Sequence, residues 1–143
     1  MPSSIVLATL NARYIHAALG LRYLMANMGD LAPVTVLREF TLQSKIHEVA
    51  DTLLAESPRI IGLGVYIWNA PQTLELVRLL KDKSPETRII LGGPEVSYEY
   101  DQQEIVRLAD YVITGWGDIS FAKLCRNLLG LSGQPKPLMK IMV

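Results

Sequence analysis

The sequence predicts a three-layer α/β domain: an open, parallel, five-stranded sheet with helices on both faces. Two observations carry this. Short apolar runs alternate with segments whose apolar residues recur at helical spacing, and the run at the middle of the chain, Ile60 to Trp68, is apolar nearly throughout. Continuous apolar strands belong to parallel sheets covered on both sides, and parallel neighbours require right-handed crossovers, here helical. The 143 residues are 50% hydrophobic and 20% charged. A chain of this length buries about 70% of the surface it would expose unfolded, enough for one core without disulfides or zinc.

Ile5-Val6-Leu7-Ala8-Thr9-Leu10 reads as the first buried strand, followed by a turn at Asn11-Ala12-Arg13. Tyr14, Ala18, Leu21, Met25 and Met28 then recur at helical spacing until Gly29-Asp30 ends the segment. Val34 to Phe40 forms the second strand, and Ser44 is placed to cap a helix bearing Ile46, Val49, Ala50, Leu53 and Leu54 on one stripe. Pro58 breaks the chain before the third strand, Arg59 to about Trp68. Asn69 is placed to cap the following helix, with Pro71 tolerated in its first turn and Leu76, Val77 and Leu80 on its apolar face.

Arg88 to Leu91 makes the fourth strand, ending in Gly92-Gly93-Pro94. A short helix around Ile105, Leu108 and Ala109 leads to the fifth strand, Tyr111 to Thr114, and then to Gly115-Trp116-Gly117-Asp118. The last helix carries Phe121, Leu124, Cys125, Leu128 and Leu129, so the one cysteine reads as inert core volume. The expected strand order is 2-1-3-4-5, the flavodoxin-like version of a Rossmann-like sheet. Residues 1–130 make this domain. Residues 131–143, with Pro135-Lys136-Pro137, read as a linker and the truncated start of a following domain.

Composition narrows the partners. Fourteen basic and 14 acidic side chains balance to zero net charge without clustering, which argues against nucleic acid. No apolar run is long enough to span a membrane and the start lacks signal-peptide features, so a cytoplasmic location is expected.

Ligands of such sheets bind beyond the carboxyl ends of the strands, where the strand order reverses. That nominates the loops Asn11 to His16, Tyr66 to Asn69, Gly92 to Tyr98 and Gly115 to Asp118. They are rich in glycine, amide and aromatic residues and poor in charge, which suits a large, mostly neutral, partly planar ligand. A phospho-receiver lacks its acidic residues here: Thr9-Leu10-Asn11 and Val65-Tyr66-Ile67 stand at the two strand ends. A flavin phosphate loop is not available in Ala12-Arg13-Tyr14-Ile15, and neither Gly62-Leu63-Gly64 nor Gly115-Trp116-Gly117 completes a dinucleotide fingerprint. Gly62 and Gly64 share a face of the central strand, and Ala17, Ala18 and Gly20 thin the helix after strand one. These small residues either open a groove for an elongated group or admit tight helix packing.

Four segments together resemble the N-terminal domain of cobalamin-dependent radical SAM enzymes. They are Thr9 to His16 (TLNARYIH), Gly62 to Asn69 (GLGVYIWN), Leu91 to Val96 (LGGPEV) and Ala109 to Asp118 (ADYVITGWGD), and the resemblance spans roughly residues 4 to 130. It implies that cobalamin lies over the strand ends with its nucleotide tail beside the sheet. Asn11, Arg13, Tyr14, His16, Gly64, Tyr66, Trp68, Asn69, Gly92, Gly93, Pro94, Glu95, Gly115, Trp116 and Gly117 would then hold the cofactor. Within that set Gly92 and Gly93 would abut the tail, Tyr66 to Asn69 would lie beneath or beside the corrin ring, and Glu95, Val96 and Tyr98 would line the rim. Tyr66 and Trp68 also read as plain core aromatics.

Departures from related corrinoid proteins bear on the chemistry. The ligand motif Asp-x-His-x-x-Gly is incomplete, because Tyr14 stands two residues before His16 and Gly20 arrives one position late. His16 is thus a candidate cobalt ligand, with a second-sphere hydrogen bond or a structural role as alternatives. His47 reads as a surface residue. The resemblance further implies S-adenosylmethionine and a four-iron four-sulfur cluster in a radical SAM domain in cis, but Cys125 alone cannot hold a cluster. These residues are therefore expected to bind cofactor without turnover, while the parent carries out methyl transfer or radical chemistry. A cofactor-free interaction domain anchored by Trp68 and Trp116 is the alternative. A free-standing corrinoid shuttle fits less well, given the incomplete motif.

Overall fold

The computed structural model describes residues 4–11, 22, 24–66, 69–92, 104–113 and 118–130. Its strands are β1 (Ile5–Asn11), β2 (Thr35–Thr41), β3 (Ile60–Gly64), β4 (Arg88–Gly92) and β5 (Tyr111–Val112), and its α-helices are α1 (Ile46–Leu54), α2 (Ala70–Lys83), α3 (Glu104–Leu108) and α4 (Asp118–Leu128). All strand pairs are parallel and the order is β2-β1-β3-β4-β5, as expected from the sequence.

Side-chain alternation along β1 divides the core in two. Val6, Ala8 and Leu10 belong to one apolar cluster with Val49 and Leu53 of α1, Leu76, Val77 and Leu80 of α2, and Ile105 and Val106 of α3. On the other face, Ile5 and Leu7 join Ile60, Ile90 and Tyr111 against Leu24, Met28 and Leu31 and against Phe121, Leu124 and Cys125 of α4. Every residue of β1 and β3 is buried, whereas β2, at the sheet edge, is mostly half-buried.

Several boundaries differ from the sequence expectation. Between the first helical segment and β2 lies a 3-10 helix, Gly29–Val34, so β2 starts one residue later than expected, at Thr35. Gly29 at φ +59° allows that reversal, a left-handed position at which a side chain is strained. Lys45, not Ser44, is the N-cap residue of α1, and it makes no side-chain capping bond. The Ser44 hydroxyl instead accepts from the Thr41 amide at 3.3 Å, closing the turn before the helix. β3 ends at Gly64, well short of Trp68, for a reason that belongs to the site.

At the amino end of β4, Asp110 ties that strand to α2. It accepts from the Ile89 amide at 2.8 Å and from Lys81 Nζ at 2.9 Å, with Arg88 at 3.5 Å. Cys125 is fully buried, and loss of solvation pushes its thiol far above the usual range, consistent with a space-filling role. His47 is exposed, as expected. No described helix is long and apolar enough to cross a membrane.

Candidate functional site

The topological switch point lies between β1 and β3. Their ladder ends at Ala8 opposite Leu63, after which β1 continues beside β2 to Asn11 opposite Thr41, and β3 continues beside β4 to Gly64 opposite Gly92. Two strands that part in this way leave backbone groups without ladder partners, and buried carbonyls of that kind must be satisfied some other way.

Asn69 satisfies them. Its side chain is fully buried, and its Nδ2 donates to Leu10 O at 3.0 Å, to Gly64 O at 3.2 Å and to Thr9 Oγ1 at 3.4 Å. Its Oδ1 accepts from the Tyr66 amide at 2.8 Å, and its own amide donates to Tyr66 O at 3.1 Å. The carboxamide therefore bridges the parting strands and closes the turn that follows β3. This is why the strand stops early: Val65 still donates to Gly92 O at 2.8 Å, but Tyr66 turns to Asn69. Asn69 does occupy the N-cap position of α2, with Pro71 in the first turn. Its side chain, however, makes no capping bond, because both of its polar atoms are committed to the switch point.

The glycines divide into two kinds. A Cβ on Gly62 would come within 2.9 and 3.0 Å of the Phe121 ring and 3.0 Å of Leu7 Cδ2. Phe121 is fully buried, so at this position the small residue serves tight packing of α4 on the sheet, and no groove opens there. A Cβ on Gly64, two residues on and nearer the strand end, would come within 3.1 Å of the half-buried Tyr66 ring and 3.6 Å of Thr9 Oγ1. There the neighbour is a loop side chain and not a core helix.

Asn11 ends β1 on the same face as Leu7 and Thr9. It is only 7% exposed, and its Oδ1 is buried without a hydrogen-bond partner among the described residues. Unlike Asn69, it holds an acceptor the fold leaves unsatisfied. Gly92, Gly64, Thr9 and Asn11 thus place small or polar residues at the carboxyl ends of β4, β3 and β1 on the α4 face.

Of the residues nominated from sequence, Asn11, Gly64, Tyr66, Asn69 and Gly92 come together at this end of the sheet. Arg13, Tyr14, His16, Trp68, Gly93, Pro94, Glu95, Gly115, Trp116 and Gly117 lie outside the described residues, as do Val96 and Tyr98. Sequence reasoning missed the bridging of β1 to β3 by Asn69, and it missed Phe121 as the occupant of the space at Gly62. Among the described residues no cluster of three His, Cys, Asp or Glu side chains could hold a metal ion.

The orphaned Asn11 acceptor and the glycine-lined strand ends suit a large ligand that presents hydrogen-bond donors. Comparison with known proteins agrees. The structure resembles a cobalamin-binding protein from Desulfitobacterium hafniense DCB-2 (TM-score 0.64, 17% identity, 87% of this chain and 58% of that one). It also resembles a CheY-like protein, tadZ, from Pseudomonas aeruginosa PAO1 (TM-score 0.62, 19% identity, 86% of this chain and 98% of that one). At such identities the likeness is one of fold. In sequence, the chain is 25% identical over 92 residues to the cobalamin-dependent radical SAM methyltransferase TokK of Streptomyces tokunonensis, covering 62% of this chain and 13% of that protein's length. Residues 5–125 match the B12 binding domain model from end to end of the described sheet, and the chain belongs to the B12-binding domain family.

Proposed function

We propose that this domain holds cobalamin at the carboxyl ends of β1, β3 and β4 as the N-terminal module of a larger radical SAM enzyme. When bound, the corrinoid supplies the cobalt centre for methyl transfer or radical chemistry; S-adenosylmethionine and a four-iron four-sulfur cluster would be held by a radical SAM domain in cis. The observation that carries the cofactor reading is the buried, unpartnered Asn11 acceptor at the switch point of a chain that belongs to the B12-binding family. The identity to TokK supports the larger enzyme as its setting.

In this reading Asn69 and Thr9 hold the loop after β3 in place, while Asn11, Gly64, Gly92 and Tyr66 face the cofactor. Arg13, Tyr14, His16, Trp68, Gly93, Pro94, Glu95, Gly115, Trp116 and Gly117 complete the pocket, with His16 a candidate ligand to cobalt.

The test is uptake of hydroxocobalamin. The purified domain should retain it through gel filtration and shift its visible spectrum from the base-on to the base-off form. No retention and an unchanged spectrum would reject the reading. Nitrogen coupling in the cob(II)alamin resonance that disappears in His16→Ala would establish His16 as the ligand, and an unaltered spectrum would remove it from that role.

A further inference from the structure

We infer that Asn11 is a specificity residue that recognises a carboxamide at the corrin periphery through its Oδ1. The inference rests on the proposed cobalamin reading and assigns one contact within it. The side chain is 7% exposed, and among the described residues no donor reaches its Oδ1. An acceptor buried in this way destabilises the fold unless a ligand or a bound water supplies the missing donor. Thr9, one step back on the same face, has its hydroxyl within 3.4 Å of Asn69 Nδ2 and 3.5 Å of Gly64 O. The Asn69 carboxamide has four partners within the protein. Asn11 therefore stands out as the group at this end of β1 whose bonding the fold does not complete.

The chemistry of the missing partner follows from the geometry. Oδ1 is neutral and accepts only, so the partner must donate an N–H or O–H. Among the described residues of β1, β3 and β4 on this face, Thr9, Asn11, Gly64 and Gly92 carry no charge at the strand ends. A cationic donor would have no counter-charge among them, and a carboxylate would meet the oxygen with repulsion. A primary carboxamide is neutral and has two N–H donors. Cobalamin carries such groups around its ring, so Asn11 would distinguish an amidated corrinoid from one in which that amide is a carboxylate.

The experiment compares the wild-type chain with Asn11→Ala and Asn11→Asp, using hydroxocobalamin, dicyanocobinamide and the monocarboxylate derivatives of cobalamin as probes. Affinity is read by visible titration, and stability by thermal unfolding without corrinoid. Removing a hydrogen bond of ordinary strength should weaken hydroxocobalamin binding by about five- to tenfold in Asn11→Ala. The melting temperature without corrinoid should not fall, because truncation breaks no hydrogen bond to Oδ1. Asn11→Asp, which keeps an acceptor oxygen, should lose less affinity than Asn11→Ala.

Dicyanocobinamide, which has the ring amides but no nucleotide, should show the same ratio between wild type and Asn11→Ala. One monocarboxylate derivative should bind the wild type weakly and be indifferent to the substitution. Unchanged affinity in Asn11→Ala, with the wild type still binding, would overturn this inference alone. So would an affinity loss matched by a falling melting temperature, or a loss seen with cobalamin but not cobinamide. Failure of the wild type to bind any of the probes would overturn the cobalamin reading and this contact with it.

Discussion

Truncating Asn69 to Ala should be among the most damaging single substitutions outside the apolar core. The side chain has no exposed surface and is shared among Leu10 O, Gly64 O, Thr9 Oγ1 and the Tyr66 amide. Its removal takes away the hydrogen bonds it makes to Leu10 O and from the Tyr66 amide, while Gly64 O keeps the long 3.5 Å bond from Thr9. At about 1–3 kcal/mol for each unsatisfied buried group, and allowing for water reaching the half-buried turn, the loss should be about 3–5 kcal/mol. A domain stable by about 5–15 kcal/mol would lose a large share of its stability. Equilibrium urea unfolding should show a lower midpoint with an unchanged slope, and the melting temperature should drop by about 10–15 °C. Asn69→Asp keeps the acceptor for Tyr66 but turns a carboxylate toward two carbonyls, so at neutral pH it should be no more stable than the alanine variant. It should recover as acid protonates the carboxyl. A loss below about 1 kcal/mol for Asn69→Ala, or a wild-type-like Asn69→Asp at neutral pH, would refute the account of the switch point.

Gly62→Ala should destabilise by about 1–3 kcal/mol through its clash with the Phe121 ring, less about 0.4–1 kcal/mol regained from backbone entropy. Adding Phe121→Leu should relieve part of that clash, which a double-mutant cycle by urea unfolding would detect as coupling of about 1 kcal/mol. Gly64→Ala meets the half-buried Tyr66 ring closely and Thr9 Oγ1 at ordinary contact distance, so it should cost less than about 1 kcal/mol in unfolding while weakening corrinoid binding in titration. The raised thiol of Cys125 favours the neutral form in the folded chain, so its contribution is complete below the ordinary thiol pKa and is lost as pH rises above it. Stability of the wild type should then fall, relative to Cys125→Ala, by about 1.4 kcal/mol per pH unit above roughly pH 9, a difference readable from urea midpoints at pH 8 and 10.

The alternation of apolar runs with helical stripes made the sheet order legible, because a parallel strand covered on both sides has few ways to be written. The end of β3 was not legible. Val65 to Trp68 continues the apolar pattern, and the strand stops only because an amide three residues after Tyr66 captures its backbone. The two caps are only partly legible for a related reason: Asn69 stands at the N-cap of α2 without a side-chain capping bond, and Ser44 stands one residue before the N-cap of α1. Ser44 and Asn69 each have the right chemistry at or beside a helix start, but Ser44 is taken by the turn at Thr41 and Asn69 by the strands behind it. A polar side chain with two available partners cannot be assigned from its position in the sequence alone. Gly62 and Gly64 were likewise indistinguishable as an i, i+2 pair. Their difference arises from Phe121, about sixty residues further along, which covers one and not the other.

Asn11 and Asn69 carry this argument from stability to function. Each is an asparagine just beyond a buried apolar run, and each is almost wholly enclosed. Hydrogen bonding separates them: every polar atom of the Asn69 side chain is bonded within the protein, whereas Asn11 buries an acceptor with no partner. A fully bonded buried amide is explained by the fold it holds together, and its replacement should harm stability first. A buried amide with an orphaned oxygen reduces stability and gives the fold nothing in return, so its presence at the switch point is best explained by what binds there. The substitutions at these two positions should therefore move stability and corrinoid affinity in different proportions, and that contrast separates scaffold from recognition at this end of the sheet.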